Sequence, residues 1–471
     1  MNDQVRRGDV FRCESCDIDA AAGLVACRYS LDGRNFEERI TLSPAGDWES
    51  PAVGAAARLL FLLAGVSYYK TAAPPVIDLG HTAITAAERD FLYEFYRQGL
   101  AEFAYRNGID LTGLRIQGPS LPARAPAPAT PATRAPATKA PATRAPVTRA
   151  LVPFGGGIDS IVTVELVRPR ADAALFVVSR PGDRFAAIER PAAVAGLPVV
   201  RAGREIDPAL LRSNELGFLN GHVPVTGIIS AIAVLAAALE HRDAVVMSNE
   251  WSSSVPTLEL GGQAINHQYS KSDSFEAGFR EVLSGSGVAM PDYFSLLRPR
   301  TELWVAERFA DLKQYHGTFR SCNRAFHIDK TRRLDHWCGQ CDKCCFIDLI
   351  LAPFMSAAEL EQVFAGGDLP PSPGSREPLA DPAQADRFRT LLGTSANGKP
   401  FECVGEVNEC RAAALLAARR DDRADSKLLQ ELAAEVAVLP DAPSAAVTAQ
   451  LLRPVGEDFI PAPFATEDPL T

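Results

Sequence analysis

The sequence predicts an α/β protein built on a doubly wound parallel sheet, with an N-terminal α+β domain before it and a helical C-terminal region after it. The main observation is an alternation of helical stretches with four short apolar runs, at residues 151–154, 174–178, 198–200 and 244–247. Buried parallel strands joined by crossover helices produce this alternation. The second observation is the composition, 47% hydrophobic and 23% charged over 471 residues, which is typical of a globular protein of about two to four domains.

Residues 1–117 are predicted to form the α+β domain. Two strand-like runs, 24–31 and 35–42, flank Asp32-Gly33, a dipeptide that suits a tight hairpin turn because glycine accepts a positive φ. The sequence Thr-Ala-Ala-Glu at 85–88 matches a capping box, which begins a helix, and Asn107-Gly108 is typical of a helix end.

Residues 118–150 are predicted to be a linker, because a Pro-Ala-Thr pentapeptide repeats in tandem over residues 131–150. A proline at every fifth position is incompatible with helix and with sheet pairing, so we expect an extended, semi-rigid segment. The sheet with its ligand site is assigned to residues 151–355. Residues 356–471 are predicted to be helical and to end in a partly disordered, proline-rich tail.

The charge balance argues against two classes of partner. Lys and Arg total 48 and Asp and Glu total 58, which gives a net charge of −10. Tight binding to nucleic acid or to an anionic membrane requires clustered positive charge. We therefore expect neither a nucleic acid nor a membrane as partner, whereas a local basic pocket for a phosphate is compatible with this balance.

Three further features predict a cytoplasmic protein. No apolar segment typical of a secretory signal follows Met1. The most apolar stretch, residues 55–69, contains Arg58 and is shorter than the roughly 20 residues of a membrane span, so we predict a buried helix. Ten cysteines at uneven spacing indicate reduced thiols or metal ligands.

The strongest catalytic motif is a glycine-rich loop at residues 153–162, Pro-Phe-Gly-Gly-Gly-Ile-Asp-Ser-Ile-Val. Its three glycines allow the backbone to turn sharply and to place N–H groups against phosphate oxygens. The following helix N-terminus and the Ser160 hydroxyl add donors, and Asp159 is suited to hold a magnesium ion. The motif lacks the Lys-Ser/Thr pair of a Walker A loop and the spacing of a dinucleotide fingerprint.

Four cysteines lie within 23 residues, at Cys322, Cys338, Cys341 and Cys344. Four thiolates close a tetrahedral zinc site without an open position, so we expect a structural role. An iron–sulfur cluster uses similar spacing and stays open as an alternative. The adjacent Cys345 is left over, either as a free thiol or as an alternative ligand.

Two polar stretches lie between these motifs. Residues 248–254, Ser-Asn-Glu-Trp-Ser-Ser-Ser, follow directly on an apolar run. Ligands bind at the carboxyl ends of strands in open α/β sheets, so we expect Asn249 and Glu250 to face the nucleotide. Residues 266–272, Asn-His-Gln-Tyr-Ser-Lys-Ser, are seven side chains that can all form hydrogen bonds.

The motifs together resemble known families. The glycine-rich loop is similar to the SGGxDS loop of the PP-loop ATP pyrophosphatases, a HUP-like fold, with Gly155 in place of the usual serine. The cysteines resemble the zinc site of the cyano-deazaguanine synthases, which are also PP-loop enzymes. With residues 248–254, 266–272 and 400–406, the set resembles the UDP-N-acetylmuramoyl-L-alanyl-L-glutamate epimerases of bacterial peptidoglycan synthesis. This resemblance extends to about residue 416, and the linker departs from it.

The resemblance implies that the terminal L-Glu of the UDP-linked muramoyl dipeptide is converted to D-Glu, with ATP and Mg²⁺ consumed in forming an acyl-adenylate. It implies phosphate and magnesium binding by Gly155, Gly156, Gly157, Asp159, Ser160, Asn249 and Glu250. It implies catalytic roles for Lys271, His267 and Asp159, with Tyr269 and Cys345 as further acid/base candidates. Substrate binding falls to Asn266, Tyr269, Arg320 and Arg324.

Two other functions stay open. One is a PP-loop enzyme that activates a nucleobase or a tRNA position, as a cyano-deazaguanine synthase does, although the acidic charge counts against tRNA. The other is a non-catalytic, zinc-stabilised binding module with a decayed loop, against which the retained Asp159 and Ser160 argue. The sequence does not indicate the oligomeric state.

Overall fold

The computed structural model describes residues 7–122, 149–260, 262–327, 329–366, 376–395, 401–402 and 404–465. Residues 131–148 of the tandem repeats, residues 466–471 of the tail, and residues 400 and 403 of the 400–406 motif lie outside these ranges. The linker and the disordered tail therefore stay predictions.

The strands of the described residues form one large mixed sheet and one small hairpin. The large sheet has ten strands in the order β12-β9-β6-β7-β8-β3-β2-β1-β4-β5, and β10 pairs with β11. The strands are β1 Val10–Asp19, β2 Leu24–Leu31, β3 Arg34–Thr41, β4 Val76–Asp78, β5 Arg115–Gln117, β6 Arg149–Pro153, β7 Asp172–Ser179, β8 Val199–Glu205, β9 Ala244–Met247, β10 Leu258–Leu260, β11 Gln263–Ile265 and β12 Asp292–Ser295.

Helices cover both faces of the large sheet, and the described residues after 356 form helices and turns. The helices are α1 Pro51–Ala64, α2 Val66–Tyr69, α3 Ala86–Gly99, α4 Ala101–Asn107, α5 Ile158–Val167, α6 Ala186–Ala195, α7 Pro208–Leu211, α8 Val225–Leu239, α9 Asp273–Ser284, α10 Glu302–Ala310, α11 Asp342–Leu351, α12 Ala357–Ala365, α13 Ala385–Leu391, α14 Val407–Ala417, α15 Lys427–Ala437 and α16 Ala445–Leu451.

Five adjacent strands carry the doubly wound arrangement. β6 is parallel to β7 and β9, β7 is parallel to β8, and β9 is parallel to β12. The chain thus winds from β6 towards β8 on one side and from β9 to β12 on the other, which leaves a crevice at the carboxyl ends of β6 and β9. The predicted α/β fold is confirmed, and the glycine-rich loop lies at this crevice.

The N-terminal strands continue the same sheet. β3 pairs antiparallel with β8, with Ile40 opposite Arg204, and the buried Glu38 carboxylate accepts a hydrogen bond from Arg204 Nε at 2.8 Å. Because an unpaired strand edge invites association, this pairing protects the edge of β8. Strands from residues 1–117 and from residues 151–355 therefore belong to one layer, and the boundaries between domains stay predictions.

Local predictions for the N-terminal residues are confirmed. Asp32 and Gly33 both have positive φ between β2 and β3. The Thr85 hydroxyl accepts from the Glu88 backbone N–H, and the Glu88 carboxylate accepts from the Thr85 N–H at 2.7 Å. α4 ends at Gly108 in the left-handed conformation. The turn and the helix caps depend only on residues close together in the chain, so they can be predicted from the sequence.

The apolar stretch predicted to be a buried helix forms α1 and α2. The combined segment Pro51–Tyr69 is long and apolar enough to cross a membrane, yet 83% of its most apolar window is buried inside the protein. It packs on α8 within one of the two apolar layers, while β6 alternates between them, with Leu151 in one layer and Ala150 and Val152 in the other. This burial accounts for its hydropathy.

Candidate functional site

The glycine-rich loop leads from β6 into α5 at the crevice of the sheet. Gly156 has a φ of +76°, and a Cβ atom there would lie 2.2 Å from the Ala187 carbonyl oxygen. Only glycine fits this backbone. A Cβ atom at Gly155 would meet nothing within 4 Å, so there is room for a serine. In the first turn of α5, Ser160 donates its hydroxyl proton to the Gly157 carbonyl at 3.1 Å.

We expect Gly156→Ala to lower the free energy of unfolding by about 2–6 kcal/mol, because backbone strain and steric overlap each cost about 1–3 kcal/mol. The matched variant Gly155→Ser is expected to stay within about 0.5 kcal/mol of the parent. Urea unfolding of the two variants measures the difference. Equal stabilities would contradict the loop conformation described here.

Three carboxylates meet beside this loop. One oxygen each of Asp159, Glu250 and Glu302 lies within 4.8 Å of the others. Within the described residues, Asp159 Oδ1 and Glu302 Oε2 are buried without a hydrogen-bond partner. Burial first, and then the Glu250 charge, raise the pKa of Asp159 to about 6, and burial with the Asp159 and Glu250 charges raises the pKa of Glu302. Buried carboxylate oxygens at this spacing, two of them without a partner, fit a hard divalent cation such as Mg²⁺.

Two lysines lie near the three carboxylates. The charges of Lys343 and Lys271 both oppose the rise in the pKa of Asp159. Lys271 Nζ also donates to Gln268 Oε1 at 3.1 Å. The site thus combines oxygen donors for a cation with ammonium groups for anionic oxygens, as a nucleotide-phosphate site requires.

A fully buried arginine holds the two polar stretches together. Arg298 pairs with Glu276 at 2.9 Å, and its NH1 group donates to the Glu250 carbonyl at 3.0 Å. Its NH2 group donates to the Lys271 carbonyl. The guanidinium therefore fixes residues 250–254 against residues 266–272, although neither Arg298 nor Glu276 was indicated by the sequence motifs.

Two of the predicted amide side chains hold these stretches in place. Asn249 Nδ2 donates to Ser295 Oγ at 3.1 Å, which joins the ends of β9 and β12. Asn266 Nδ2 donates to the Ser253 carbonyl at 2.9 Å, and its Oδ1 accepts from the Gln268 N–H at 2.8 Å. Both groups of the Asn266 amide are thus bonded to protein backbone.

His267 lies in a separate cluster of titratable groups. Its Nδ1 is 2.5 Å from Glu102 Oε2 on α4, and its ring centroid is 4.2 Å from that of His222. Burial acts to raise the pKa of Glu102, but the hydrogen bond and charge of His267 outweigh it and lower that pKa. Burial and the His267 charge lower the pKa of His222 to about 4.

The remaining predicted substrate residues lie in different surroundings. Arg320 is buried, donates to the Phe319 and Gly366 carbonyls and has its pKa lowered to about 10, mainly by burial. Arg324 is exposed. Tyr269 lines a cavity of about 590 Å³ whose walls include the carboxylates of Asp90, Glu94 and Glu281, an unfavourable charge for an anionic nucleotide.

The four cysteines form a compact group. Their Sγ atoms lie within 4.8 Å of one another, and Cys344 Sγ is 3.7 Å from Cys338 Sγ and 3.4 Å from Cys341 Sγ. Zn–S bonds of about 2.3 Å give a tetrahedron with edges of about 3.8 Å, so the donor set fits a single tetrahedral ion. Cys345 points elsewhere, with its Sγ 4.0 Å from Gln384 Oε1.

Two known family models match this chain. Residues 2–296 match the family model of the MurL N-terminal domain, and residues 318–447 match that of the MurL C-terminal domain. The chain belongs to the MurL family. The N-terminal match spans both sides of the predicted linker and all strands of the sheet, and the C-terminal match contains the four cysteines.

Curated MurL relatives agree along nearly the whole chain. One from Micromonospora sp. is 38% identical over 98% of each chain, and one from Salinispora tropica is 38% identical over 98% of this chain and 96% of its own. One from Xanthomonas oryzae pv. oryzae is 39% identical over 88% and 87%. Each is named UDP-N-acetyl-alpha-D-muramoyl-L-alanyl-L-glutamate epimerase. As a MurL protein, the chain is an enzyme of the isomerase class.

Glu302, the third carboxylate of the cluster, is not indicated by any of the sequence motifs. Glu302 follows Thr301, whose hydroxyl accepts from the Trp304 N–H at the start of α10. An acidic residue is common in the first turn of a capped helix, so the sequence around Glu302 does not distinguish a site carboxylate from an ordinary helix start. The signal that could have revealed it is its position soon after β12, the strand beside β9.

Proposed function

We propose that this chain epimerises the terminal L-Glu of UDP-N-acetylmuramoyl-L-alanyl-L-glutamate to D-Glu, at the expense of ATP, in peptidoglycan precursor synthesis. The observation that carries the proposal is the cluster of Asp159, Glu250 and Glu302 beside the glycine-rich loop in a MurL-family chain. A phosphate-binding backbone with adjacent oxygen donors is what a magnesium–nucleotide complex needs. We accordingly assign the sheet to the PP-loop ATP pyrophosphatases.

The chemistry explains why ATP is needed. An α-proton beside a carboxylate is scarcely acidic, because its removal places a second negative charge next to the first. Transfer of AMP to the α-carboxylate, with release of pyrophosphate, neutralises that charge and makes the enolate accessible. A base then removes the proton, an acid returns one to the opposite face, and hydrolysis of the adenylate to AMP makes the inversion irreversible.

Residues of this chain are assigned to these steps as follows. The backbone of residues 155–157 and the Ser160 turn bind the phosphates. Asp159, Glu250 and Glu302 would hold Mg²⁺, which neutralises phosphate charge when bound, and Asn249 orders the adjacent strand ends. Lys271 stabilises the developing anionic oxygens, since preorganised charge at such oxygens is a large contribution to catalysis.

Substrate binding and metal content complete the proposal. Exposed Arg324, beside the cysteine group, is suited to the diphosphate or the second carboxylate of the substrate. Asn266, Tyr269 and buried Arg320 are then positioning residues rather than direct contacts. We propose a structural zinc ion at the four cysteines, because sulfur atoms 3.4–3.7 Å apart enclose a single ion, without space for an iron–sulfur cluster. We also propose a cytoplasmic location, where a nucleotide-linked substrate is expected.

The first experiment supplies ATP, Mg²⁺ and the UDP-linked dipeptide in heavy water, and follows pyrophosphate release and deuterium at the glutamate α-carbon. We expect both, with D-glutamate after acid hydrolysis of the product. Pyrophosphate without deuterium would point to a different activation. Absence of both with this substrate, but pyrophosphate release with a deazaguanine carboxylate, would favour the nucleobase-activating alternative.

A further inference from the structure

We propose that Glu102 and His267 form an acid/base dyad of the epimerisation, in which His267 moves the α-proton and Glu102 positions the imidazole and raises its basicity; this inference rests on the proposed function. The two side chains come from distant parts of the sequence and are 2.5 Å apart. Both are largely buried: 13% of the His267 side chain and 6% of the Glu102 side chain are exposed. A carboxylate on one imidazole nitrogen is how proteins fix the tautomer and raise the basicity of the other nitrogen.

The hydrogen bond between His267 and Glu102 determines the tautomer of the His267 ring. An ionised carboxylate only accepts hydrogen bonds, so His267 Nδ1 must donate to Glu102 Oε2. The ionised state of Glu102 is favoured by Arg106, whose Nε is 2.7 Å from the second carboxylate oxygen. The lone pair of the neutral imidazole is then on Nε2, the atom that receives the α-proton while the C–H electron pair moves into the enolate of the acyl-adenylate.

Two chains of contacts connect the Glu102–His267 dyad with the cluster of Asp159, Glu250 and Glu302. On one side, Asn266 beside His267 bonds to the Ser253 carbonyl, and Ser253 Oγ donates to the Glu250 carbonyl at 2.6 Å. On the other side, the Arg106 guanidinium lies 5.0 Å from the Phe401 ring centroid, and the next residue, Glu402, accepts from Asn323 Nδ2 at 3.2 Å.

The second chain of contacts ends at the glycine-rich loop. The Arg320 backbone N–H, three residues before Asn323, donates to the Gly156 carbonyl at 3.3 Å. Lys271 is close enough to both groups for its charge to act on Asp159 and on His222. We assign the α-carbon of a substrate activated beside Asp159 to the space between Asp159 and His267.

The role of His222 is limited by geometry. A base and an acid on opposite faces of one carbon each need about 3–3.5 Å to it, and so lie about 6–7 Å apart. The ring centroids of His222 and His267 are 4.2 Å apart, so the two rings are adjacent, and we assign both to one face of the substrate. His222 then packs against the catalytic ring, and the proton on the opposite face comes from a separate acid, for which the Lys271 ammonium is our candidate.

The test separates the two half-reactions. For His267→Gln in heavy water, we expect deuterium incorporation to fall by about 10²–10⁴-fold, the usual contribution of general acid–base catalysis, while substrate-dependent pyrophosphate release stays within about fivefold. Glu102→Gln should lower incorporation by about 10–100-fold, with partial recovery in Glu102→Asp. His241→Gln, at an exposed histidine paired with Asp47, is the control.

Three results would overturn the dyad. One is unchanged deuterium incorporation in His267→Gln; another is an equal loss of both half-reactions in that variant, which indicates a structural role. The third is a transition metal bound at Glu102, His222 and His267, which also form a possible ligand set; it is seen as a metal equivalent that His222→Gln removes. If the parent protein releases no pyrophosphate, the proposed function fails independently of the dyad.

Discussion

Asp159→Asn is expected to lower ATP-dependent pyrophosphate release by at least about 10³-fold, because it removes an oxygen donor at the centre of the proposed magnesium site. The same substitution should raise the melting temperature in the absence of Mg²⁺. Three carboxylates within 4.8 Å repel one another when no cation separates them, and an amide in place of Asp159 relieves that repulsion. Mg²⁺ with ATP should stabilise the parent against heat and leave the variant unchanged.

The matched control is Asp172→Asn, at the opposite end of the parallel strands. Asp172 begins β7 and its side chain is 65% exposed, so activity and the magnesium-dependent stabilisation should both be retained. Retention of turnover in Asp159→Asn would exclude the assigned role. A lower melting temperature of that variant without Mg²⁺ would contradict the mutual repulsion of the three carboxylates.

Cys344→Ser is expected to release the bound zinc and to lower the melting temperature by more than about 10 °C. Cys344 is fully buried at the contact between α11 and the 338–341 turn. Loss of a structural metal ion removes binding energy that contributes directly to folding. Metal analysis of the purified protein should give one zinc per chain for the parent and well under half of that for the variant.

Cys345→Ser provides the control, since its thiol is equally buried but lies outside the metal group. It should retain one zinc per chain, with a loss of about 1–3 kcal/mol for a buried polar group. Iron and sulfide with visible absorption would identify an iron–sulfur cluster instead. A parent protein without bound metal would exclude both assignments.

The fold was predictable where the pattern is local or periodic. The four apolar runs became β6 to β9, and Asp32-Gly33 and Thr85 to Glu88 formed the expected turn and cap. The joining of β3 to β8 was not predictable, because its determinants, such as the Glu38–Arg204 pair, are 166 residues apart. A single sequence carries no signal for such pairing, so residues 1–117 had the appearance of an independent domain.

The same limit applies to the site. Residues within a motif, such as Asp159 and Glu250, were identified because glycines or a strand end mark their positions. Glu102 was not identified, because it lies on an ordinary amphipathic helix. Only its contact with His267, 165 residues later in the chain, indicates a role for it. Arg298 could not be identified for the same reason: a buried arginine has no local pattern, and its partners come from α9 and from two other segments of the chain.

The strand order sets the distance that the segment between β5 and β6 has to span. β5 lies at one edge of the sheet, and β6 is seven positions away, about 34 Å at the usual strand spacing. About ten to eleven extended residues cover that distance, fewer than the chain has between Gln117 and Arg149. Each doubling of a connection costs only about 0.6 kcal/mol in closure entropy. Pentapeptides can therefore be gained or lost over evolutionary time without displacing a single catalytic side chain.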